Sequence, residues 1–328
     1  MAKPNGIRLK ARVLLLTIFF LPSLSLARDN IRIAYPSLSS SVFYFMIAQK
    51  EGYYKEEGLN VEVLSVRGEI AIRTAIAGEV DYFTNAGSAL AGAVRDMPLK
   101  IIAVTQDRPS WDLIVQPQIK SIAQLRGATI GIMSPEGSLA VVTKEILRQN
   151  GLDPVKDVNL LIMGGDDVRL NALRGKAIQA TLFNPSTSIR AQRDGYPKLA
   201  SAGQYVNYLQ GGLTTTVDNI KQNPAKIARF MKASLKGLRY YLAKREAAIN
   251  YTMAFLRLSD RDLAALLYDA ESKPMLRDGT TDEKILQPLI DDMKRVTKVN
   301  RDFKVSDIFD FSFIRKANEE LKSSGWKP

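Results

Sequence analysis

One pattern occurs twice in this chain and restricts its architecture more than any other: a short apolar strand, a serine-bearing turn, then a helix. In residues 128–151, Thr129, Ile130 and Ile132 predict a buried strand, the SPEGS stretch from Ser134 through Glu136 and Gly137 to Ser138 a tight turn, and Leu139 onward a helix. Leu139, Val142, Ile146 and Leu147 share one face of that helix, Lys144, Glu145 and Arg148 point the other way, and Asn150-Gly151 ends it. The first copy begins with Ile31, Ile33 and Tyr35 alternating with Arg32 and Ala34, passes through Pro36 to Ser41, and continues as a helix from Val42 to Lys50. A strand feeding a helix through such a turn presents free backbone N–H groups, a hydroxyl cap and the positive end of the helix dipole at one point. That point receives small polar or anionic groups.

The segments after each copy also match in kind, IRTAIAGEVDYFTNAG in the first half and VRLNALRGKAIQATLFNPS in the second. Nearly the same interval separates Ser40 from Gly78 and Ser138 from Gly175. Two units of this length do not make a solenoid; they predict two α/β lobes of related topology with mainly parallel sheets. In such sheets ligands bind beyond the carboxyl ends of the strands. Residues 28–116 together with 212–328 are assigned to lobe 1 and residues 117–211 to lobe 2, joined by two crossover strands; Trp111–Val115 reads as a strand before the break at Gln116-Pro117, and Tyr205–Thr216 holds the strand crossing back. After Asn223-Pro224 the pattern changes to about four amphipathic helices, expected to pack mostly on lobe 1.

Residues 1–27 read as a secretory signal peptide: Lys3, Arg8, Lys10 and Arg12 form a basic start, Val13 to Leu21 an apolar run too short to span a bilayer, and Ser25-Leu26-Ala27 a cleavage site. Export with cleavage after Ala27, hence a periplasmic location, is the expectation. The chain has no Cys and no His. It therefore has no disulfide or thiol chemistry and lacks the commonest general base and metal ligand. The formal charge of +12 falls by four without the signal segment, and the remaining excess is dispersed along the chain. A dispersed excess reads as a mildly basic solvated surface, not as a nucleic-acid footprint. No Walker A loop, GxGxxG fingerprint, zinc spacing or calcium loop occurs in the sequence. No cofactor or metal is expected.

The predicted strand ends supply a polar rim: Ser39, Ser40 and Ser41; Gly68 and Glu69; Asn85, Gly87 and Ser88; Gln106; Ser134, Glu136, Gly137 and Ser138; and Asn184. Hydroxyls and amides dominate it, which suits hydrogen bonding to a ligand better than proton transfer. Each of these residues is also a turn or cap residue in its own right. Tyr44 and Trp111 either wall the cleft or fill a lobe core.

Several stretches, in order, resemble the solute-binding proteins of ABC importers of the nitrate/sulfonate/taurine type, a superfamily that also holds binders of thiamine pyrimidine precursors. They are IRIAYPSLSSSVFYFMIAQKEGYYKEEGLNVEV, AIAGEVDYFTNAGSAL, SIAQLRGATIGI with SPEGSLAVVTKEILRQNGLDP, and DNIKQNPAKIARFMKASLKGLRYY. The resemblance implies a type II periplasmic binding protein fold, two lobes closing by hinge motion on a small organic ligand, anionic or heteroaromatic. It implies an ABC permease in the inner membrane as partner, and a monomer. Its ligand contacts map to Ser40, Tyr44, Gly68, Glu69, Asn85 to Ser88 and Ser134 to Ser138. Many relatives carry Glu-Pro or Asp-Pro where this chain has Asn184-Pro185, a departure that removes a carboxylate. The Cys and His features of the pyrimidine-forming enzymes of this fold are absent from the sequence. The competing expectation is an enzyme or sensory module on the same fold, with Glu69 or Glu136 as its acid or base.

Overall fold

A computed structural model describes residues 1–2, 28–36, 39–66, 68–135 and 138–328, without side-chain placement at Gly68 and Glu69. Residues 3–27 of the expected signal segment, Glu136 and Gly137 lie outside these residues.

In chain order, β1 (Asp29–Tyr35) leads into α1 (Ser40–Lys50), α2 (Tyr53–Glu56), β2 (Leu59–Ser65), α3 (Gly68–Ile76), β3 (Tyr82–Phe83), α4 (Ala86–Val94) and β4 (Leu99–Gln106). Then come β5 (Asp112–Val115), β6 (Thr129–Ile132), α5 (Ser138–Gln149), β7 (Asn159–Ile162), α6 (Asp166–Arg174), β8 (Ala180–Phe183), α7 (Pro185–Arg193) and β9 (Lys198–Ser201). The chain returns through β10 (Gly211–Thr216). It finishes with α8 (Val217–Gln222), α9 (Pro224–Ala243), α10 (Arg245–Leu256), α11 (Arg261–Ser272), α12 (Glu283–Thr297), α13 (Val305–Ile308) and α14 (Ser312–Ser323). Seven helices thus follow the last strand among the described residues, more than the four or so read from the sequence, because short helices and breaks at Lys244 and Arg257 divide the amphipathic run.

The strands form two five-stranded sheets of related order, β2-β1-β3-β10-β4 and β7-β6-β8-β5-β9. β1 pairs in parallel with β2 and β3, and β6 in parallel with β7 and β8. One strand in each sheet runs against its neighbours: β10 against β3 and β4, and β5 against β8 and β9. These are the two strands that have just crossed from the other lobe, so each crossing enters the middle of its new sheet from the opposite end. This corrects the reading of Asp112–Val115 as lobe 1. Its partners are Phe183 to Ala180 and the strand at 198–201, and a local apolar pattern carries no information about which sheet a strand joins.

Lobe 1 is built on an aromatic stack in which Phe230 of α9 lies 4.3 Å from Tyr82 and 5.6 Å from Tyr54, nearly parallel to both. α9 crosses α1 closely because Gly237 has no side chain; a Cβ there would overlap the Tyr44 carbonyl and lie 2.8 Å from Ala48 Cβ. Lobe 2 has its own core of Leu113, Val115, Ile130, Val142, Ile146 and Leu182. Between the lobes, the crossings run as a hydrogen-bonded ribbon: Gln210 N donates to the Gln106 carbonyl at 3.1 Å and Tyr208 N to the Asp107 carbonyl at 3.1 Å. Gln210 Nε2 donates to Ser110 Oγ at 3.0 Å, and Ala202 N to the Trp111 carbonyl at 2.8 Å.

Candidate ligand-binding cleft

Helices α1, α4, α5 and α7 begin after the carboxyl ends of β1, β3, β6 and β8, and each start is occupied differently. At β3, Asn85 caps α4, its Oδ1 accepting Ser88 N–H at 3.3 Å. Gly87, the next turn residue, has no side chain, and the Tyr208 phenol fills the space: an added Cβ would overlap the hydroxyl and lie 2.8 Å from Cε1. The same hydroxyl shares a hydrogen bond with Ser138 Oγ, the first residue of α5 in lobe 2. Tyr208, carried by the second crossing, therefore stands between the first turn of a lobe 1 helix and the first turn of a lobe 2 helix. Burial raises its phenol pKa, opposed by the Ser138 hydrogen bond, so it stands there as a neutral hydroxyl.

The first crossing contributes Trp111, whose ring centroid is 5.7 Å from that of Tyr208 in a tilted arrangement. Its indole N–H donates to Asn184 Oδ1 at 2.8 Å. Asn184 caps no amide with its own side chain; instead its N–H donates to Asp166 Oδ2 at 3.2 Å, at the start of α6. Asp166 pairs in turn with Arg169, which has no exposed surface and donates to the Leu182 carbonyl at 3.0 Å and Thr181 Oγ1 at 3.2 Å. Burial lowers the Arg169 pKa against the pull of Asp166. Arg169, Asp166 and Asn184 thus form a chain of hydrogen bonds that ends on the Trp111 ring and fixes its orientation.

At β1 the start of α1 is taken by Glu271 of α11, whose Oε2 accepts Ser40 N–H at 2.7 Å. Ser40 is 2% exposed, and the Ser39 and Ser41 hydroxyls bond each other at 2.7 Å. Gln106, at the end of β4, is also buried and donates to the Glu271 carbonyl at 3.4 Å.

The structure thus brings Gly87, Ser138, Trp111 and Asn184 together around Tyr208, with Asn85 and Ser88 on the first turn behind Gly87. It turns Ser40 and Gln106 toward Glu271. Ser134 is half-exposed on the turn leaving β6, and Gly68 and Glu69 begin α3. Tyr44 is a correction: it is 3% exposed, packs in the lobe 1 core beside Phe45 at 4.0 Å between centroids, and burial pushes its phenol pKa far up. The reason is that α1 is apolar on nearly all sides, with Val42, Phe43, Phe45 and Ile47 buried around Tyr44. Sequence reasoning missed Tyr208 and Glu271. Only a glycine in the first turn of α4, facing something bulky, hinted at the former, and nothing local hinted at the latter. A groove of about 660 Å³ lies elsewhere, along α14 beside Arg239, Asp278 and Trp326, and holds none of these residues.

The doubled lobe, the crossing strands and the helix starts at the strand ends have counterparts among known proteins. The profile described as NMT1/THI5 like matches residues 40–248. This chain belongs to the NMT1/THI5-like family. The match runs from the first residue of α1 into α10, taking in every strand after β1, so it covers every residue converging on Tyr208. A Brucella abortus (strain 2308) protein named only as a binding protein is 24% identical over 255 residues, 76% of this chain and 78% of its own length. Among solved structures, the periplasmic sulfonate-binding protein SsuA of Methylobacillus flagellatus KT superposes with a TM-score of 0.71 at 17% identity, over 92% of this chain and 98% of that one. The desulfurization enzyme DSZB superposes with a TM-score of 0.65 at 14% identity, over 89% of this chain and 99% of that one. These likenesses establish the shared two-lobed fold of the NMT1/THI5-like chain.

Proposed function

We propose that this protein is the periplasmic solute-binding component of an ABC importer, which captures a small organic ligand between its lobes and delivers it to a permease in the inner membrane. The observation that carries the reading is the position of Tyr208, held between Gly87 of lobe 1 and Ser138 of lobe 2 and flanked by Trp111. A ligand at this point touches both lobes at once and so links binding to hinge closure through the ribbon of residues 106–111 and 205–210. The rings of Trp111 and Tyr208 supply apolar contact, while Ser88, Ser138 and the first-turn N–H groups supply hydrogen bonds, the composition of a small-molecule site. Ser39, Ser134, Gly68 and Glu69 stand at the rim of the same cleft in this reading. The names of the Brucella relative and of SsuA are in keeping with it. Residues 1–27 are then a signal peptide removed after Ala27, and the mature protein acts as a monomer.

Thermal-shift screening of the purified protein against organic acids, sulfonates, nitrate, aromatic carboxylates and pyrimidines tests the assignment. A ligand at about 100 times its Kd stabilises the folded state by about 2.7 kcal/mol. A broad panel that leaves the melting temperature of well-folded protein unchanged counts against a receptor.

A further inference from the structure

The start of α1 follows β1, the neighbour of β3 in the lobe 1 sheet, and the chain fills it with its own carboxylate. Glu271 is 8% exposed and lies near the end of α11, far from Ser40 in sequence. Its side chain takes the Ser40 N–H and its carbonyl takes the Gln106 side chain, so both strand ends, β1 and β4, are tied to this one residue. The other end of α11 reaches lobe 2, where Arg193 Nη1 of α7 donates to Asp260 Oδ2 at 2.7 Å. The helix that carries Glu271 therefore runs along the boundary between the lobes.

Burying a carboxylate is unfavourable unless charge or hydrogen bonds compensate. Here the Ser40 N–H and the positive end of α1 offset part of that cost, an arrangement that serves an anionic ligand group in the same way as it serves Glu271. The two cannot share it, since like charges a few ångströms apart away from water repel strongly. At the matching helix start in lobe 2 the place is held by the neutral Tyr208 hydroxyl on Ser138.

We propose that Glu271 is a specificity-determining residue: it occupies the anion-receptive start of α1 from within and sets the cleft against anionic ligands, so that the solute is uncharged or cationic at its lobe 1 end. The inference rests on the receptor reading above and narrows it. A receptor that selects by an internal carboxylate rejects small sulfonates and carboxylates of otherwise suitable size, and loses that rejection when the charge is removed.

Calorimetric titration of the purified protein with sodium methanesulfonate, in the wild type, Glu271→Gln and Glu271→Ala, decides the matter. Glu271→Ala removes the charge and vacates the Ser40 N–H; methanesulfonate is expected to bind it at least tenfold more tightly than the wild type. Glu271→Gln keeps an acceptor for Ser40 and is expected to fall between the two. Circular dichroism establishes that each variant is folded. If Glu271→Ala does not fold, the Glu271→Gln result stands alone, and a gain of less than threefold overturns the proposal. Equal binding by all three forms overturns it, as does binding by none. Whether the receptor reading itself survives is read separately, from thermal shifts of the wild type with uncharged heteroaromatic compounds, which do not depend on anion exclusion.

Discussion

Substituting Gly87 by Ala tests the position of Tyr208 with a single methyl group. The added Cβ would overlap the Tyr208 hydroxyl and lie 2.8 Å from Cε1, while the backbone of α4 has no reason to move. The ring must therefore withdraw. Withdrawal breaks the Ser138–Tyr208 hydrogen bond, a loss of about 1 kcal/mol, and loosens the Trp111–Tyr208 ring pair, a loss of about 0.5–1.5 kcal/mol. Ala is favoured over Gly inside a helix by up to about 1 kcal/mol, so the net destabilisation of Gly87→Ala is about 1 kcal/mol. In a Tyr208→Ala background the clash is absent and only the helix term remains, so the same substitution becomes stabilising. The two effects of Gly87→Ala then differ by about 2 kcal/mol, well beyond the ~0.5 kcal/mol scatter of independent sites. Urea unfolding of the four proteins of this double-mutant cycle measures the difference directly. If Gly87→Ala changes stability equally in both backgrounds, Tyr208 does not stand against Gly87 and the convergence of the lobes on it is wrong.

Two further outcomes follow from the same geometry. Burial raises the folded-state pKa of Glu271 above its ordinary 4.5, outweighing its hydrogen bonds from Ser40, so the folded protein holds a proton that the unfolded chain releases. Stability from that proton is complete below pH 4.5 and is lost as pH rises through the elevated folded value. Wild type and Glu271→Gln should therefore show stabilities whose difference is constant at low pH and shifts in favour of the variant above it; parallel curves from about pH 4 to about pH 8 in urea unfolding would contradict the burial argument. Asn184→Ala removes the acceptor held 2.8 Å from the Trp111 indole N–H, at an expected loss of about 1 kcal/mol. In a Trp326→Phe background Trp111 is the sole tryptophan, and its emission maximum should move; an unchanged spectrum would mean that Asn184 does not hold the ring.

Much of the fold is legible because it is written in local signals. The alternation of Ile31, Ile33 and Tyr35, the apolar face of Val142, Ile146 and Leu147, and the glycines that stop the helices each act within a few residues. The doubling of the strand–turn–helix unit then points to two lobes. Sheet membership is not legible at Asp112–Val115, since pairing with 180–183 and 198–201 is a long-range choice that any buried apolar strand satisfies. Tyr44 misleads because family contacts carried onto α1 fall on a helix whose neighbours are almost all apolar, which is the signature of burial. Glu271 illustrates the hardest case. Its partner Ser40 lies 231 residues away, and a glutamate late in an amphipathic helix reads as solvated until the fold brings it to the first strand end. Asn184 stands out in the sequence as a departure from many relatives, but only the fold shows that its side chain faces Trp111 and orients the ring.

In the proposed receptor a small solute is held between the lobes at Tyr208, Trp111, Gly87 and Ser138. Native mass spectrometry of the protein purified from its source without a denaturing step, before and after addition of a thermal-shift hit, measures this most directly. The expected result is one small organic molecule per chain, lost on denaturation and bound far more weakly after Tyr208→Ala. A bare protein mass that no compound increases, or an adduct that survives Tyr208→Ala undiminished, would contradict it.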